Sequence, residues 1–461
     1  MAKQIDFEND NIAKNMLQTA FPMLIAQTLN LLYSIVDRVY IGKIPNMGAN
    51  ALGAVGLCFP IIIIITAFAN MFGVGGAPIF AMRRGNKEKD KASAIMNTSF
   101  RLIIVSAVII TVLGEILSKP MLMLFGATTE TLGYSLWYLR IYFIGTIFSM
   151  IATGMNPYIN AQGFPRIGMM SVVIGAIANL ILDPIFIFVF GLGINGAAIA
   201  TVIAQILSAI FVLYYIAGDK LEYKIYFKKE DSLKAYFPYT WDIVSLGFAP
   251  FVMNCTNSAV QIASNSMLLK FGGDIYVSIM TILSSVRQIT ETPVFAICEG
   301  TSPIISYNYG AKNAKNVKKA IKLMTIITII YTAITWLLVE KNSRFLISIF
   351  NSDEQLLKKA MPAIHIYFFA YVFQALQYCG QGVFKALNKK KQTIFFSIFR
   401  KLILVVPLTF LLPYIGDLGI NGIFMAEPIS NLVGGIACFT TMVFVIFPEI
   451  KGLSNEHDCS I

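Results

Sequence analysis

Asn179 and Asp183 stand four residues apart in Asn179-Leu-Ile-Leu-Asp183-Pro184, inside an apolar run from Ile167 to Phe190 that carries no other charge. Four residues is one helical turn, so the amide and the carboxyl share a face. Pro184 has no N–H, and the carbonyl of Leu180 loses its helical donor on about the same side. Carboxylate, amide and freed carbonyl together could hold a proton or a small cation away from lipid. An ionisable residue in such a run is costly, reads first as functional, and needs a partner. The candidate partner is Asp37, in Leu-Leu-Tyr33-Ser-Ile-Val-Asp37-Arg38, late in the first apolar run. Neighbours on a helix point about 100° apart, so Asp37 can face inward while Arg38 snorkels to the surface. Two carboxylates sharing a dry cavity do not both ionise comfortably, and a proton, Na⁺ or a cationic substrate relieves the repulsion. Ion and organic cation would then compete for one negative charge.

Other candidates carry a stronger structural alternative. Asn179 taken alone, and Thr201 early in the sixth run, could each be a hydrogen bond between membrane helices. Glu299, in Cys298-Glu-Gly-Thr-Ser-Pro303, is a candidate substrate or ion contact in the second half, with a buried structural hydrogen bond as the competing reading. Arg287 and Glu291 can satisfy each other at i,i+4, which leaves Glu299 the more available acid. His365 fits a packing role better than a chemical one. Gly-Leu-Gly-Ile-Asn-Gly at 191–196 is a turn between helices, because no strand precedes it as a phosphate loop requires.

The elements that position these residues are membrane helices. Of 461 residues, 56% are hydrophobic and only 13% are charged, and the mean hydropathy is +0.69. That composition fits an all-α polytopic membrane protein. Twelve apolar runs reach the roughly 20 residues a crossing needs: 15–41, 50–80, 93–118, 133–159, 167–190 and 194–217, then 243–270, 276–306, 316–339, 360–384, 392–414 and 418–447. The expected organisation is an N-lobe over 1–218, a cytoplasmic linker over 219–241 and a C-lobe over 242–461. The net charge of +11 lies in short basic clusters between apolar runs, the pattern of a positive-inside membrane protein and not of a nucleic-acid binder. The Lys/Arg-rich loops alternate with poorer ones, which places both termini in the cytoplasm; the 340–359 loop is the exception. The six cysteines are scattered, with no metal spacing and no disulfide framework. No nucleophile–base pair or metal constellation appears in the spans, so an enzyme is not expected.

The halves repeat. Gly75, Pro78, Gly85 and Lys87 recur 225 residues later as Gly300, Pro303, Gly310 and Lys312, and Leu-Gly-Ile-Asn-Gly at 192–196 returns at 418–422. Tyr142 recurs as Tyr367. Six spans per half give the halves the same sense in the membrane, so two six-helix bundles related by a pseudo-two-fold axis along the membrane normal are expected, with a cavity between them. The counterpart of Leu182-Asp183-Pro184 is Val405-Val406-Pro407: the proline stays and the carboxylate does not. Span 243–270 holds no acid to match Asp37. Acids at depth are therefore expected in the first half only.

As a set, these features resemble the multidrug and toxic compound extrusion (MATE) family, nearest its DinF/MepA-type branch. The resemblance rests on Phe21-Pro22, Leu-Tyr-x-x-Val-Asp37, Asn179…Asp183-Pro184, the stretch Cys-Glu299-Gly-x-x-Pro303-Ile-Ile-Ser-Tyr-Asn-Tyr-Gly310 and the 6+6 repeat. It implies an inner-membrane antiporter of bacteria that exports cationic amphipathic compounds against H⁺ or Na⁺ by alternating access. It also implies ion coupling at Asp37, Asn179, Asp183 and Thr201, the same four being the candidate Na⁺ ligands. Substrate contacts are expected at Asp37, Tyr138, Asn156, Asp183 and Glu299. The NorM-type branch holds its cation through acids on the seventh and tenth helices, which 243–270 and 360–384 lack here. The expected partners are small organic cations and the lipid bilayer, with no nucleic acid; a monomer is expected, and no cofactor beyond the coupling ion. The alternative is a flippase for a lipid-linked precursor, which would need several inward arginines, and only Arg140 and Arg287 are candidates.

Overall fold

The computed structural model describes residues 4–8, 11–45, 48–125, 127, 129–226, 233–350, 353–416 and 418–458. Part of the expected linker, with Lys228 and Lys229, lies outside them. All regular structure among the described residues is helical. The first half supplies α1 (Ile12–Gly42), α2 (Gly48–Gly85), α3 (Lys89–Leu124), α4 (Thr129–Ala161), α5 (Pro165–Pro184) and α6 (Gly193–Ala217). The second supplies α7 (Leu233–Gly272), α8 (Asp274–Gly310), α9 (Ala314–Lys341), α10 (Ser343–Ser348), α11 (Glu354–Phe368), α12 (Tyr371–Ala386), α13 (Lys390–Ile398), α14 (Val406–Leu411) and α15 (Gly419–Asp458). Local signals set several boundaries. Pro165 opens α5 where its missing N–H costs nothing. Asp353 caps α11 by accepting from the backbone N–H of Gln355 (2.7 Å) and Leu356 (3.0 Å).

Ten helices among the described residues are long and apolar enough to cross a membrane. The expected eighth and tenth spans differ for physical reasons. α8 has the length, but it carries Arg287, Glu291 and Glu299 and is rich in hydroxyls. The tenth is broken into α11 and α12, of 15 and 16 residues, between Phe368 and Tyr371.

The backbone repeats as the sequence does. Lys87 and Lys312 both take positive φ (61° and 56°), as do Gly163 and Asn388 (90° and 56°) and Gly191 and Gly416 (65° and 58°). Each pair is 225 residues apart. These left-handed turns follow equivalent helices, and side chains other than glycine tolerate them at a cost. Close helix contacts repeat too. A Cβ on Gly73 would lie 2.9 Å from the Gly154 Cα, so α2 and α4 meet backbone to backbone. The equivalent positions in the second half are Cys298 on α8 and Cys379 on α12, whose thiols also meet.

The described contacts divide the chain into two units. Unit 1 holds the segment up to Asp6 and Phe21–Gly247; unit 2 holds Phe7–Ala20 and Phe248–Ile461. These limits differ from the expected 1–218 and 242–461, and the repeated glycine explains the difference. Gly75 on α2 leaves room for the Ile243 carbonyl and Gly247, so the start of α7 packs in unit 1. Its counterpart Gly300 on α8 takes the backbone of Ala20, so the start of α1 packs in unit 2. Each unit has its own buried apolar core, around Phe80, Phe143 and Tyr158 in one and around Phe368, Tyr371 and Phe424 in the other.

Candidate functional site: a carboxyl pair in unit 1

α5 does not simply stop at Pro184. It passes into a π-helical turn over Ile185–Val189, closed by the Phe190 N–H donating to the Ile185 carbonyl at 2.9 Å. Lost helical donors at a proline are commonly absorbed by such a local change of hydrogen bonding. One turn before it, Asn179 and Asp183 are almost wholly buried, at 3% and 1% exposure. The Asn179 amide donates to Asp183 Oδ1 and to Thr201 Oγ1, each at 3.2 Å. The amide thereby ties α5 to α6 and offers its N–H, not its oxygen, to the site.

Asp37 reaches the same place from α1. Its carboxyl lies within hydrogen-bonding reach of the Asp183 carboxyl. Asp37 Oδ1 and Asp183 Oδ2 are buried oxygens with no donor among the described residues. Neither acid forms an ion pair with a described residue. Arg38 lies over the Phe59 ring, 5.1 Å from its centroid, and Arg140 pairs with Glu115 at 3.5 Å. Arg38 is within electrostatic reach of Asp37 without pairing with it, and two acceptor-only groups held together with no direct ion pair call for a shared proton or a cation. The donor set, hard oxygens from two carboxylates and a hydroxyl, fits a small hard cation as well as a proton.

Tyr138 on α4 is buried within electrostatic reach of both acids. Asn156 is placed elsewhere. Its amide donates to the Gly168 carbonyl (2.8 Å) and to Ser171 Oγ (2.7 Å), and its oxygen accepts from Asn160 (3.1 Å). Ser171 precedes Asp183 on α5 by about 18 Å of helix rise. Asn156 is thus spent on joining α4 to α5, well away from the carboxyl pair. Glu299, in unit 2, is not the available acid it was expected to be. Lys385, buried at the end of α12, pairs with it.

One further residue borders the carboxyl pair, and two more lie behind it. Tyr33 is within electrostatic reach of both acids, and Tyr142, itself within reach of Tyr33 and Tyr138, accepts a hydrogen bond from Gln205 at 3.1 Å. Their signal was spacing: each lies four residues from a candidate, as Tyr33–Asp37, Tyr138–Tyr142 and Thr201–Gln205.

Besides Glu291 and Glu299, unit 2 contains a deep acid that was not expected there, Glu427. Arg287 pairs with Glu291, as the i,i+4 spacing implied, and also with Glu427 at 2.7 Å. Glu427 accepts in addition from Arg400 (3.1 Å) and Lys401 (2.7 Å). Gln374, Tyr378 and Asn431 complete the cluster. Acids at depth therefore occur in both halves, and what distinguishes them is compensation.

The chain can now be set beside known proteins. The family model MatE matches residues 22–185 and again 250–411, one block in each half. The chain belongs to the MatE family. Among its relatives, the multidrug export protein MepA of Staphylococcus saprophyticus is 23% identical over 94% of this chain and 93% of its own length. That of Staphylococcus haemolyticus is 24% identical over 96% and 94%. In fold the chain is similar to an outward-facing multidrug resistance MATE family transporter of the MOP superfamily, with a TM-score of 0.90 at 21% identity over 98% of this chain and 99% of that one. A MOP superfamily transporter from Pyrococcus furiosus gives 0.88 at 21% over the same shares.

Within this MatE fold the two clusters are repeat equivalents. Tyr142 corresponds to Tyr367, and the register of the 192–196 and 418–422 turns pairs Thr201 with Glu427 and Gln205 with Asn431. Arg287 lies over the Tyr367 ring at 5.3 Å. One position is thus built twice, once beside acids with no direct ion pair among the described residues and once with an acid paired to cations of the chain.

Proposed function

We propose that this chain is a secondary active multidrug efflux antiporter, exporting cationic amphipathic compounds in exchange for H⁺ or Na⁺ by alternating access. It would act in the cytoplasmic membrane of a bacterium with both termini in the cytoplasm, as a monomer and without a chemical step. The observation that carries the reading is the Asp37–Asp183 pair, in which a buried acid meets a half-buried one and neither forms an ion pair with a described residue. A negative site of that kind is most stable with a cation in it, so release of an ion prepares it for an organic cation and the reverse. Asn179, itself bonded to Thr201, holds Asp183 in place, and Tyr138 offers an aromatic face to a flat cation. The export named for the staphylococcal relatives agrees with this direction. The flippase alternative gains nothing from Arg287 and Arg400, since both are tied to Glu427.

The test is dye efflux from vesicles carrying the purified protein, with pH and Na⁺ gradients imposed separately. Wild type is expected to export ethidium under one gradient or both, and Asp183→Asn under neither while still inserting and remaining monodisperse. Normal export by Asp183→Asn would overturn the site. Retention of an anionic lipid head group with no dye transport would favour the flippase.

A further inference from the structure

α9 and α15 leave between them a groove of about 430 Å³. Its walls are apolar, with Ile326, Phe439 and Phe447 among them, and Lys318, Lys319 and Lys322 stand along it near the N-terminus of α9. Lys318 and Lys322 are one turn apart and share a face. Lys322 is exposed and Lys318 half-buried. The α9 N-terminus adds a positive end of its own. Glu449, on the described part of α15, pairs with Lys389 at 2.6 Å. A dry groove on a membrane helix pair, with cations at one end, matches one kind of molecule: an acyl chain along the walls and a phosphate at the lysines.

We infer that the α9–α15 groove of unit 2 binds an anionic phospholipid, with its phosphate on Lys318 and Lys322 and an acyl chain against Ile326, Phe439 and Phe447. The cationic compounds of the proposed transport are excluded by the same lysines, so this is a site apart from the carboxyl pair. A zwitterionic head group would add a positive charge beside the lysines and is disfavoured. Bound lipid would splint α9 to α15 and fill a void that otherwise leaves apolar walls without contacts.

Native mass spectrometry of the full-length protein, with phosphatidylglycerol and phosphatidylcholine of equal chain length, tests this. Phosphatidylglycerol is expected to be retained at least tenfold better. Lys318→Gln/Lys322→Gln should lose at least tenfold of that retention, whereas Lys318→Arg/Lys322→Arg should keep it. A control of equal charge on unit 1, Lys89→Gln/Lys91→Gln, should change nothing. Ile326→Trp, which obstructs the groove and leaves the lysines, should also lower retention, and it carries the test if the glutamine variant fails to fold. Equal retention of the two lipids, an equal loss in the control, or unchanged binding in Ile326→Trp overturns the proposal. Displacement by excess inorganic phosphate would reduce the site to a phosphate site and overturn it likewise.

Discussion

Asn179 lies one turn before Asp183 and donates its amide to the Asp183 carboxylate at 3.2 Å, both residues being almost wholly buried. The same amide reaches Thr201. One side chain therefore fixes where the acid points and which helix it points toward. Removing it by Asn179→Ala strands the buried Asp183 acceptor and the half-buried Thr201 one, at a cost of roughly 1–3 kcal/mol. Ion-driven efflux should persist, with the half-saturating ion concentration raised about tenfold, as read from initial rates in vesicles.

Asp37 and Asp183 act on one ion if they share it. The pair is expected to behave as a unit, so Asp37→Asn, Asp183→Asn and the double variant should lose nearly the same activity. Independent, multiplying losses in a double-mutant cycle would show that the carboxyls serve separate steps.

Thr201→Val keeps the shape of the side chain and removes its oxygen. A hydroxyl is a direct ligand for a hard cation, but in a proton network it is one hydrogen-bonding group among several. Na⁺-driven efflux should fall more than tenfold and H⁺-driven efflux only a few-fold, so comparing the two gradients in one variant reports which ion the site prefers.

Glu427 receives Arg287, Arg400 and Lys401. Glu427→Gln leaves the buried Arg287 and Arg400 and the half-buried Lys401 facing Glu291 alone, and breaking a buried ion cluster in this way costs about 3–5 kcal/mol. The expected result is a clearly lower unfolding midpoint in detergent. An unchanged midpoint would mean that water already screens the cluster.

Gly73 faces the Gly154 backbone across α2 and α4. Gly73→Val has no room without parting the helices, which costs about 1–3 kcal/mol or more. Loss of monodisperse protein on size exclusion should follow, with no such loss for valine at Gly56, where a Cβ meets nothing within 4 Å.

Hydropathy and repetition settled a great deal before any coordinates. The helical class, the positions of most spans and the 225-residue register are local or periodic properties, and the left-handed turns at Lys87 and Lys312 repeat that register in the backbone. Spacing also marked Asn179 and Asp183 as neighbours, because one helical turn is a fixed distance. Partnership across helices is a different matter. Glu299 reads as available because Lys385 is 86 residues away in the chain, and Glu427 goes unmarked because its cations come from helical segments far from it in the sequence. Likewise the start of α1 packs with unit 2 and the start of α7 with unit 1, decided by what fits over Gly300 and Gly75. The sequence determined which residues are costly to bury. Only the tertiary structure decided which of them are paid back by a charge of opposite sign, since that depends on side chains meeting from helices whose order along the chain says nothing of their contacts.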